Sequence, residues 1–310
     1  MKQRARDQWS GILFALPFVI VWSVFTLWPV ISGFIISLHN WDPLRGSEYI
    51  GFENYKYLFT SERFWNAFFN TFEFALIMIP LTLIFGLLFA FFLYFSKSKA
   101  KGFVEGALFF PYLLNVSIIS LVWKWLFDPD FGLINESLKM IGISNAPQFL
   151  NHPVWVIPAI AFASAWWLMG YRMTIFRAAL ESQPVEIVEA AIIDGANKWQ
   201  IMFKILFPLI RPQFLFAMVL TIISGFNVLG QVMIMTEGGP GRSSEVLALY
   251  LYREAFSYFR MGRAAAIGFI LFVIIFIFTL IAMRYMGNEN KGYTHFRNRS
   301  KQRLTKGKVS

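Results

Sequence analysis

Six long stretches of the chain contain no aspartate, glutamate, lysine or arginine, and their apolar character predicts membrane-spanning helices. These stretches cover residues 8–38, 74–96, 106–123, 140–171, 212–236 and 264–283. A helix needs about 20 apolar residues to cross the hydrocarbon core of a bilayer, and every stretch approaches or exceeds that length. We therefore expect an all-α integral membrane protein, a bundle of six transmembrane helices over about 11–38, 74–96, 106–126, 154–172, 212–236 and 264–284.

The basic residues lie unevenly between these spans and predict the orientation of the chain. Most of the 28 lysines and arginines fall in the N-terminal segment 1–10, the loop after the second span, the segment 172–211 and the basic tail 288–310. Loops rich in lysine and arginine stay on the cytoplasmic side of a membrane. We expect a multi-pass protein with both termini in the cytoplasm and a single transmembrane domain over 11–287.

The composition agrees with a membrane protein and excludes several kinds of chemistry. Hydrophobic residues make up 57% of the chain and charged residues only 15%, whereas soluble domains carry about 25% charged residues. The absence of cysteine rules out disulfides and thiolate sites, and the three histidines are too scattered for a metal site. No G-x-x-x-x-G-K-[ST] motif is present, so we expect no cofactor and no ATP on this chain. The net charge of +10 comes mainly from the tails, so it does not require a nucleic-acid partner.

The stretch between the fourth and fifth predicted spans is polar and interrupted. Pro184 opens it, the pair Asp194-Gly195 breaks it, and Pro208 and Pro212 close it. Proline suits the start of a helix, and glycine permits the left-handed backbone of a sharp turn. The pattern predicts two short helices joined by a bend.

The apolar residues of this stretch repeat at helical spacing and predict a buried face on each helix. The residues are Val185, Val188 and Ile192 in the first helix, and Trp199, Met202, Phe203 and Leu206 in the second. Such a face packs against neighbouring helices or fills the groove of a partner. Ser182 lies shortly before the first helix, and we expect its side chain to cap that helix.

The same stretch resembles a known signature. Glu189-Ala190-Ala191-x-x-x-Gly195, followed after nine residues by Ile205-x-Phe207-Pro208, is similar to the EAA motif of binding-protein-dependent ABC importer permeases. Phe207 stands where leucine is usual, and it remains apolar. The resemblance implies that the loop 182–211 forms coupling helices that dock into a cleft of a cytoplasmic ATPase, which binds ATP and Mg. The residues it implicates are Glu189, Ala190, Ala191, Asp194, Gly195, Ala196, Ile205 and Pro208.

Further segments resemble the sugar-importing members of that family, of the maltose and glycerol-phosphate type. These segments are 109–112, 122–127 and 132–135 near the third span, and 236–240, 252–256 and 262–266 before the last span. They resemble the first of the two different permeases that such importers use. The resemblance implies a transport subunit of the bacterial plasma (inner) membrane rather than an enzyme, with a carbohydrate substrate and contacts to membrane lipid. It also implies a second permease subunit as a heterodimer partner, two ATP-binding subunits and an extracytoplasmic solute-binding protein.

Polar side chains inside the spans are candidates for the substrate path, because such groups tend to face the interior of a bundle. Together with nearby aromatic residues, the candidates are Asn115, Trp166, Ser224, Phe226, Asn227 and Gln231. Asn227 and Gln231 are four residues apart, so we expect them to share one face of the fifth span. Asn115 follows Pro111 on the third span, where we expect a proline kink to open a cavity. The same residues also suit hydrogen bonds between helices, and both interpretations stay open.

Three other functions fit a membrane-spanning chain and make different predictions. A permease of the same architecture would import a non-carbohydrate solute such as a polyol phosphate. A self-sufficient secondary transporter would show inverted repeats and charges inside the membrane. A membrane-embedded enzyme would show clustered histidine, aspartate or glutamate near one membrane face. Neither of the last two patterns stands out in the sequence, which favours the importer.

Overall fold

The computed structural model describes residues 13–42, 46–143 and 147–287, and most of them are helical. The elements in chain order are α1 Leu13–Ser37, β1 His39–Asp42, β2 Gly46–Tyr49, α2 Glu53–Thr60, α3 Glu62–Phe95, α4 Lys101–Leu113, α5 Val116–Leu126, α6 Leu133–Met140, α7 Val156–Glu181, α8 Val185–Ile193, α9 198–209, α10 Arg211–Phe226, α11 Gly230–Met235, α12 Leu247–Tyr252 and α13 Met261–Gly287. Turns of π-helix lie in α1 at Ser23–Leu27, in α9 at Ile201–Leu206 and after α12 at Arg253–Ser257. The predicted terminal segments 1–10 and 288–310 lie outside the described residues.

The long helices account for most of the predicted spans. Within the described ranges, four stretches are long and apolar enough to cross a membrane: Leu13–Ser37, Glu62–Phe95, Arg211–Met235 and Met261–Tyr285. The pair α4 and α5, bent by 103°, counts as a fifth if it is one broken span. α7 has 26 residues, but Arg172 and Arg177 make it less apolar. The helical, membrane-spanning character is confirmed, whereas the count of six spans stays a prediction.

Two of the predicted spans are broken rather than continuous. The predicted span 106–126 divides between α4 and α5, where residues 114–115 adopt an extended backbone. The bend lies there and not at Pro111, which sits inside α4, so the predicted site of the kink is wrong. The predicted span 212–236 divides at residues 227–229, between α10 and α11. Such breaks persist in membranes only where protein or water satisfies the freed backbone groups.

The described chain forms two compact units. The first contains the chain up to Trp65 together with Leu247–Val273. It includes the hairpin of β1 paired antiparallel with β2, a small addition to the predicted all-helical fold. Asn54 on α2 supports this hairpin, because its amide donates to the carbonyls of Ser37 and His39 at 2.8 and 3.0 Å.

The second unit contains Asn66–Val246 and the chain from Ile274, and it carries every candidate site residue. Its main hydrophobic cluster joins the C-terminal half of α3 to α7, α8, α9 and α10. Gly170 on α7 lies so close to α4 that an added Cβ would stand 2.1 Å from the carbonyl oxygen of Leu108. This crossing therefore requires glycine, as is common where helices approach closely in membranes.

Candidate functional site

α8 ends in a hydrogen-bonded turn that sets the direction of the following chain. Gly195 has a φ of +80°, in the left-handed region. Its N–H donates to the carbonyl of Ile192 at 3.0 Å, and the N–H of Ala196 donates to that of Ala191 at 2.9 Å. The two bonds define a Schellman motif, which satisfies the last carbonyls of a helix. The predicted break at Asp194-Gly195 is therefore a structured turn, and glycine supplies the backbone freedom it needs.

The two short helices begin differently. Asn197 starts α9 with a capping box: its side chain accepts from the N–H of Gln200 at 2.9 Å, and the Gln200 side chain accepts from the N–H of Asn197 at 2.8 Å. The spacing Asn-x-x-Gln is the sequence signal of this motif. Ser182 does not cap α8, contrary to the prediction, because its hydroxyl donates to the carbonyl of Ala179 and it ends α7. Pro184 holds the N-cap position of α8 without a side-chain bond.

The buried face of α8 is narrower than the predicted stripe. Val188 and Ala191 are buried in the main cluster. Val185 and Ile192, which the stripe places on the same face, are 60% and 59% exposed, and Ile193 is 85% exposed. The helix therefore contacts the bundle along one line only, and the prediction of burial is wrong for Val185 and Ile192.

α9 also buries only half of its predicted face, and its backbone explains the difference. Met202 and Leu206 are buried, together with Ile201. Trp199 and Phe203 are exposed and stack on each other, with ring centroids 5.8 Å apart. The central turn is π-helical, so each turn holds more than the 3.6 residues of an α-helix. A face assigned from α-helical spacing is therefore wrong for Trp199 and Phe203.

The residues implicated by the signature divide into an exposed and a packed set. Glu189, Ala190, Asp194 and Gly195 are exposed, Ala191 is buried, and Ala196, Ile205 and Pro208 are half-buried. Together, the exposed residues of α8 and its end form the α8 surface: Val185, Glu186, Glu189, Ala190, Ile192, Ile193 and Asp194. It combines carboxylates with uncovered apolar side chains, and Glu186 lies in the first turn, where a carboxylate suits the helix dipole. This chemistry suits a docking surface for another protein chain.

Both short helices are fixed to long helices of the second unit. Phe91 and Leu93 near the end of α3, and Phe176 and Leu180 near the end of α7, belong to the same buried cluster as Val188. Protein interiors are close-packed, so neighbouring groups in such a cluster move together. α8 is therefore packed into the same core as the ends of α3 and α7.

An ion-pair network links α4 to the end of α7. Arg177 donates to Glu181 at 3.0 Å and to Glu105 on α4, and Lys101 donates to Glu181 at 3.4 Å. Partial burial raises the pKa of Glu181, but the hydrogen bonds and charges of Arg177 and Lys101 outweigh burial and hold that pKa below the ordinary carboxyl value. Glu181 therefore keeps its negative charge at neutral pH, and its ion pairs with Arg177 and Lys101 tie α4 to the helix that leads into α8.

The substrate-path candidates do not form the single helical face that their spacing predicts. Asn227 is exposed at the end of α10, and Gln231 is buried on α11, beyond the break. The helix is interrupted between them, so the prediction of a shared face is wrong. Phe226 is only 2% exposed and packs against Phe72 and Phe278 with ring centroids 5.3 and 5.2 Å apart. Phe226 therefore belongs to the hydrophobic core and exposes almost no surface to a substrate path.

The remaining candidates make local contacts. The hydroxyl of Ser224 donates to the carbonyl four residues earlier at 2.9 Å. The side chain of Asn115 accepts from the N–H two residues later at 2.9 Å and caps α5. Trp166 packs edge-to-face against a tryptophan of α5, with ring centroids 5.5 Å apart. Asn115 and Asn227 are the two of the six candidates whose side chains are exposed in this chain.

The structure brings the two helix breaks together, which the sequence did not predict. Gly230 at the start of α11 packs against Val116 at the start of α5, where an added Cβ would lie 3.1 Å from the valine side chain. Lys124 on α5 donates to a carbonyl of α11 at 3.3 Å. The indole of Trp167 on α7 donates to the carbonyl of Leu114 at 3.3 Å and so satisfies a group freed by the first break. The only sequence signal for this contact is a glycine inside an apolar run.

A buried carboxylate in the first unit lies close to two arginines. The carboxylate of Glu254 is 3.9 Å from the guanidinium of Arg63 and 3.8 Å from that of Arg260. Burial, with the nearby charge of Glu254, raises the pKa of the Tyr250 hydroxyl to about 12. Among the described residues, no three histidine, aspartate or glutamate side chains come together to hold a metal ion.

Comparison with known proteins identifies relatives over most of the chain. Residues 61–286 match the family described as "Binding-protein-dependent transport system inner membrane component". The chain is 32% identical over 283 residues to the probable ABC transporter permease protein YesP of Bacillus subtilis (strain 168), covering 90% of this chain and 91% of that protein. It is 30% identical over 284 residues to the probable starch degradation products transport system permease protein AmyD of Thermoanaerobacterium thermosulfurigenes, covering 91% and 96%. It is 29% identical over 287 residues to the trehalose/maltose transport system permease protein MalF of Thermococcus litoralis, covering 91% and 95%.

The fold is also similar to a chain of a solved structure. That structure is described as a bacterial alginate ABC transporter in complex with alginate pentasaccharide-bound periplasmic protein. The TM-score is 0.77 at 23% identity, and the similarity covers 92% of this chain and 96% of that chain. At this identity the comparison establishes the fold.

Proposed function

Because the chain belongs to the family of binding-protein-dependent transport system inner membrane components, we propose that it is the permease subunit of an ABC importer for sugars or short oligosaccharides. Two of its relatives are named for starch degradation products and for trehalose and maltose. These names favour a carbohydrate substrate. The proposed location is the plasma membrane, with six spans, of which α7 is the fourth and is made less apolar by Arg172 and Arg177 near its end.

The observation that carries the proposal is the attachment of α8 to the long helices. Its outward side is the α8 surface, which offers carboxylates and apolar side chains to a partner. Its inward side, Val188 and Ala191, lies in the same buried cluster as α3 and α7. A helix exposed on one side and packed into the bundle on the other is suited to transmit movement between a partner and the spans.

We propose that the partner is an ATP-binding subunit on the cytoplasmic side. Closure of two such subunits on ATP would move α8, and the packed cluster would carry that movement into α3 and α7. The Schellman turn at Gly195 fixes the angle between α8 and α9, so that the two helices move as one element. ATP hydrolysis then lies on the partner chains, together with the Mg ion.

The proposed sugar path runs beside the two helix breaks. Asn115 and Asn227 each lie next to a break and expose an amide, which is a suitable donor and acceptor for sugar hydroxyls. Gln231 is buried on α11 beyond the second break, whereas Phe226 belongs to the core. A second permease subunit would complete the path, and an extracytoplasmic solute-binding protein would deliver the sugar.

The direct test is sugar uptake into proteoliposomes. The chain is reconstituted with its candidate partner permease and ATP-binding subunits, and labelled maltotriose is supplied on the binding protein. We expect uptake that requires ATP and stops when the P-loop lysine of the ATP-binding subunits is replaced by alanine.

Two results would contradict the proposal. Uptake driven by an ion gradient without ATP-binding subunits would identify a secondary transporter. ATP-dependent uptake of glycerol phosphate with no uptake across a panel of sugars would retain the architecture but replace the substrate.

A further inference from the structure

A cavity of about 390 Å³ lies between the end of α3 and the start of α9. It is lined by Leu88, Phe91, Phe92, Phe95, Ser96, Lys198, Trp199 and Met202. Six of these eight side chains are apolar, and the two polar ones, Ser96 and Lys198, follow α3 and begin α9. The cavity, named here the α3–α9 cleft, is therefore apolar along its length and cationic at one end.

The residues around the cleft have the composition expected where a membrane span meets water. The helical part of α3 ends at Phe95, and the loop that follows reads Ser-Lys-Ser-Lys. The rise from Leu88 to Phe95 is about 10 Å at 1.5 Å per residue. The apolar walls therefore reach from the interface into the acyl-chain region, and the polar end lies at the level of lipid headgroups.

Positive charge lies at the polar end of the cleft, on Lys198, and on the chain that directly follows Ser96. Lys97 and Lys99 are exposed on the loop after α3, and Lys198 is exposed at the start of α9. Lys198 makes no ion pair with the described residues, and neither residues 96–101 nor 197–209 contain an aspartate or glutamate. Basic clusters beside a span attract anionic lipid headgroups, because opposite charges attract strongly near the low-dielectric membrane.

We propose that the α3–α9 cleft is a binding site for one anionic phospholipid. An acyl chain lies along Leu88, Phe92 and Trp199, and the phosphate is held by Lys198 and the hydroxyl of Ser96. A neutral lipid would place no negative charge opposite the lysines at the polar end of the cleft. A protein segment would need an acidic end and would have to reach the cleft from within the membrane. An anionic lipid, by contrast, is present in the membrane at high concentration.

Occupation of the cleft affects the element that joins α8 to the spans. Met202 is 5% exposed and Phe91 2% exposed, and both belong to the main cluster as well as to the cleft wall. A bound acyl chain would fill the space between α3 and α9 and brace the two helices. Anionic lipid would therefore strengthen the coupling element without contributing to the sugar path.

The test measures lipid retention and does not depend on transport. The full-length chain, in its complex, is reconstituted into nanodiscs of mixed phosphatidylcholine and phosphatidylglycerol, and bound lipid is counted by native mass spectrometry. Lys198→Gln is compared with Lys204→Gln, which removes the same charge from an exposed position on α9 outside the cleft. We expect Lys198→Gln to weaken retention of phosphatidylglycerol about fivefold, and Lys204→Gln to leave it unchanged.

A second variant tests the apolar wall. Trp199→Ala opens the cleft and should release phosphatidylglycerol even though every charge remains. Equal retention by wild type, Lys198→Gln and Trp199→Ala would overturn the proposal, as would equal loss in Lys198→Gln and Lys204→Gln. Crosslinking of position 199 to an ATP-binding subunit or to the second permease would also overturn it, because the cleft would then hold protein.

Discussion

The N–H of Ala196 donates to the carbonyl of Ala191 at 2.9 Å, so the chain after α8 folds back over the left-handed turn at Gly195. Ala191 is also buried in the cluster that contains the ends of α3 and α7. The same alanine therefore anchors the turn and the helix to the bundle. The direction of α9 follows from one hydrogen-bonded turn whose central residue must accept a positive φ.

We predict that Gly195→Val abolishes sugar uptake while Gly195→Asn retains most of it. No atom lies within 4 Å of an added Cβ at this position, so the effect comes from the backbone and not from a clash. A side chain in the left-handed region costs about 1–2 kcal/mol, and asparagine tolerates it best after glycine. Uptake of labelled sugar in cells is the measurement, with the amount of protein in the membrane determined by immunoblot.

A matched control for this prediction is Gly102→Val. Gly102 also has open space around it, but it lies in α4 without a positive φ. We expect its uptake to match that of wild type. Normal uptake by Gly195→Val at normal membrane levels would show that the turn does not set the function of α8.

The capping box of α9 should contribute measurably to stability. Asn197→Ala removes the bond to the N–H of Gln200 and should lower the free energy of unfolding by about 1 kcal/mol. Thermal unfolding of the purified chain in detergent is the measurement. Asn197→Ser preserves a side-chain acceptor and should recover most of the loss, whereas equal Tm values for alanine and wild type would refute a stabilising cap.

Replacing Gly170 should disrupt the close packing of α7 against α4. Gly170→Ala would place a Cβ 2.1 Å from the carbonyl oxygen of Leu108, so the helices must separate. We expect strongly reduced levels of folded protein in the membrane, measured by fluorescence-detected size-exclusion chromatography. Gly106→Ala on α4 meets nothing within 4 Å and should behave as wild type. A monodisperse, normally abundant Gly170→Ala protein would contradict the close crossing.

Phe226 and Asn227 are adjacent in sequence but should respond to alanine in different ways. Phe226→Ala opens a cavity in the core and should cost about 3–5 kcal/mol of stability. Asn227→Ala removes an exposed amide beside the second helix break and should raise KM for the sugar with little change in Tm. Both variants are compared by thermal unfolding and by uptake at varied sugar concentration. A lowered Tm for Asn227→Ala with unchanged KM would assign it to helix packing.

Much of the structure of α8 and α9 follows from local sequence. The opening at Pro184, the break at Asp194-Gly195 and the start of a second helix depend on backbone preferences that act over a few residues. Each preference depends only on a residue and its immediate neighbours, so it can be read from the sequence. The structure confirms the two short helices that these preferences predict. The capping box at Asn197 and Gln200 is local in the same sense and could have been predicted from its spacing.

The faces of those helices were less predictable. Val185 and Ile192 share the helical spacing of Val188 but remain exposed, because the bundle contacts α8 along one line. Trp199 and Phe203 turn outward because a π-helical turn changes the number of residues per turn. Helical periodicity tells which residues align, but it does not tell which side meets a neighbour.

The amino-acid sequence was enough to predict that this chain is helical and membrane-spanning, to locate α8 and α9, and to indicate the family of the protein. Those properties follow from the length of apolar runs and from short-range backbone chemistry. The folded chain was needed to see that two spans are broken, that their breaks meet at Gly230 and Val116, and that Phe226 lies in the core. Breaks in a span persist because distant groups satisfy the freed backbone, as Trp167 does for the carbonyl of Leu114. The periodicity of the sequence does not reveal such long-range partners.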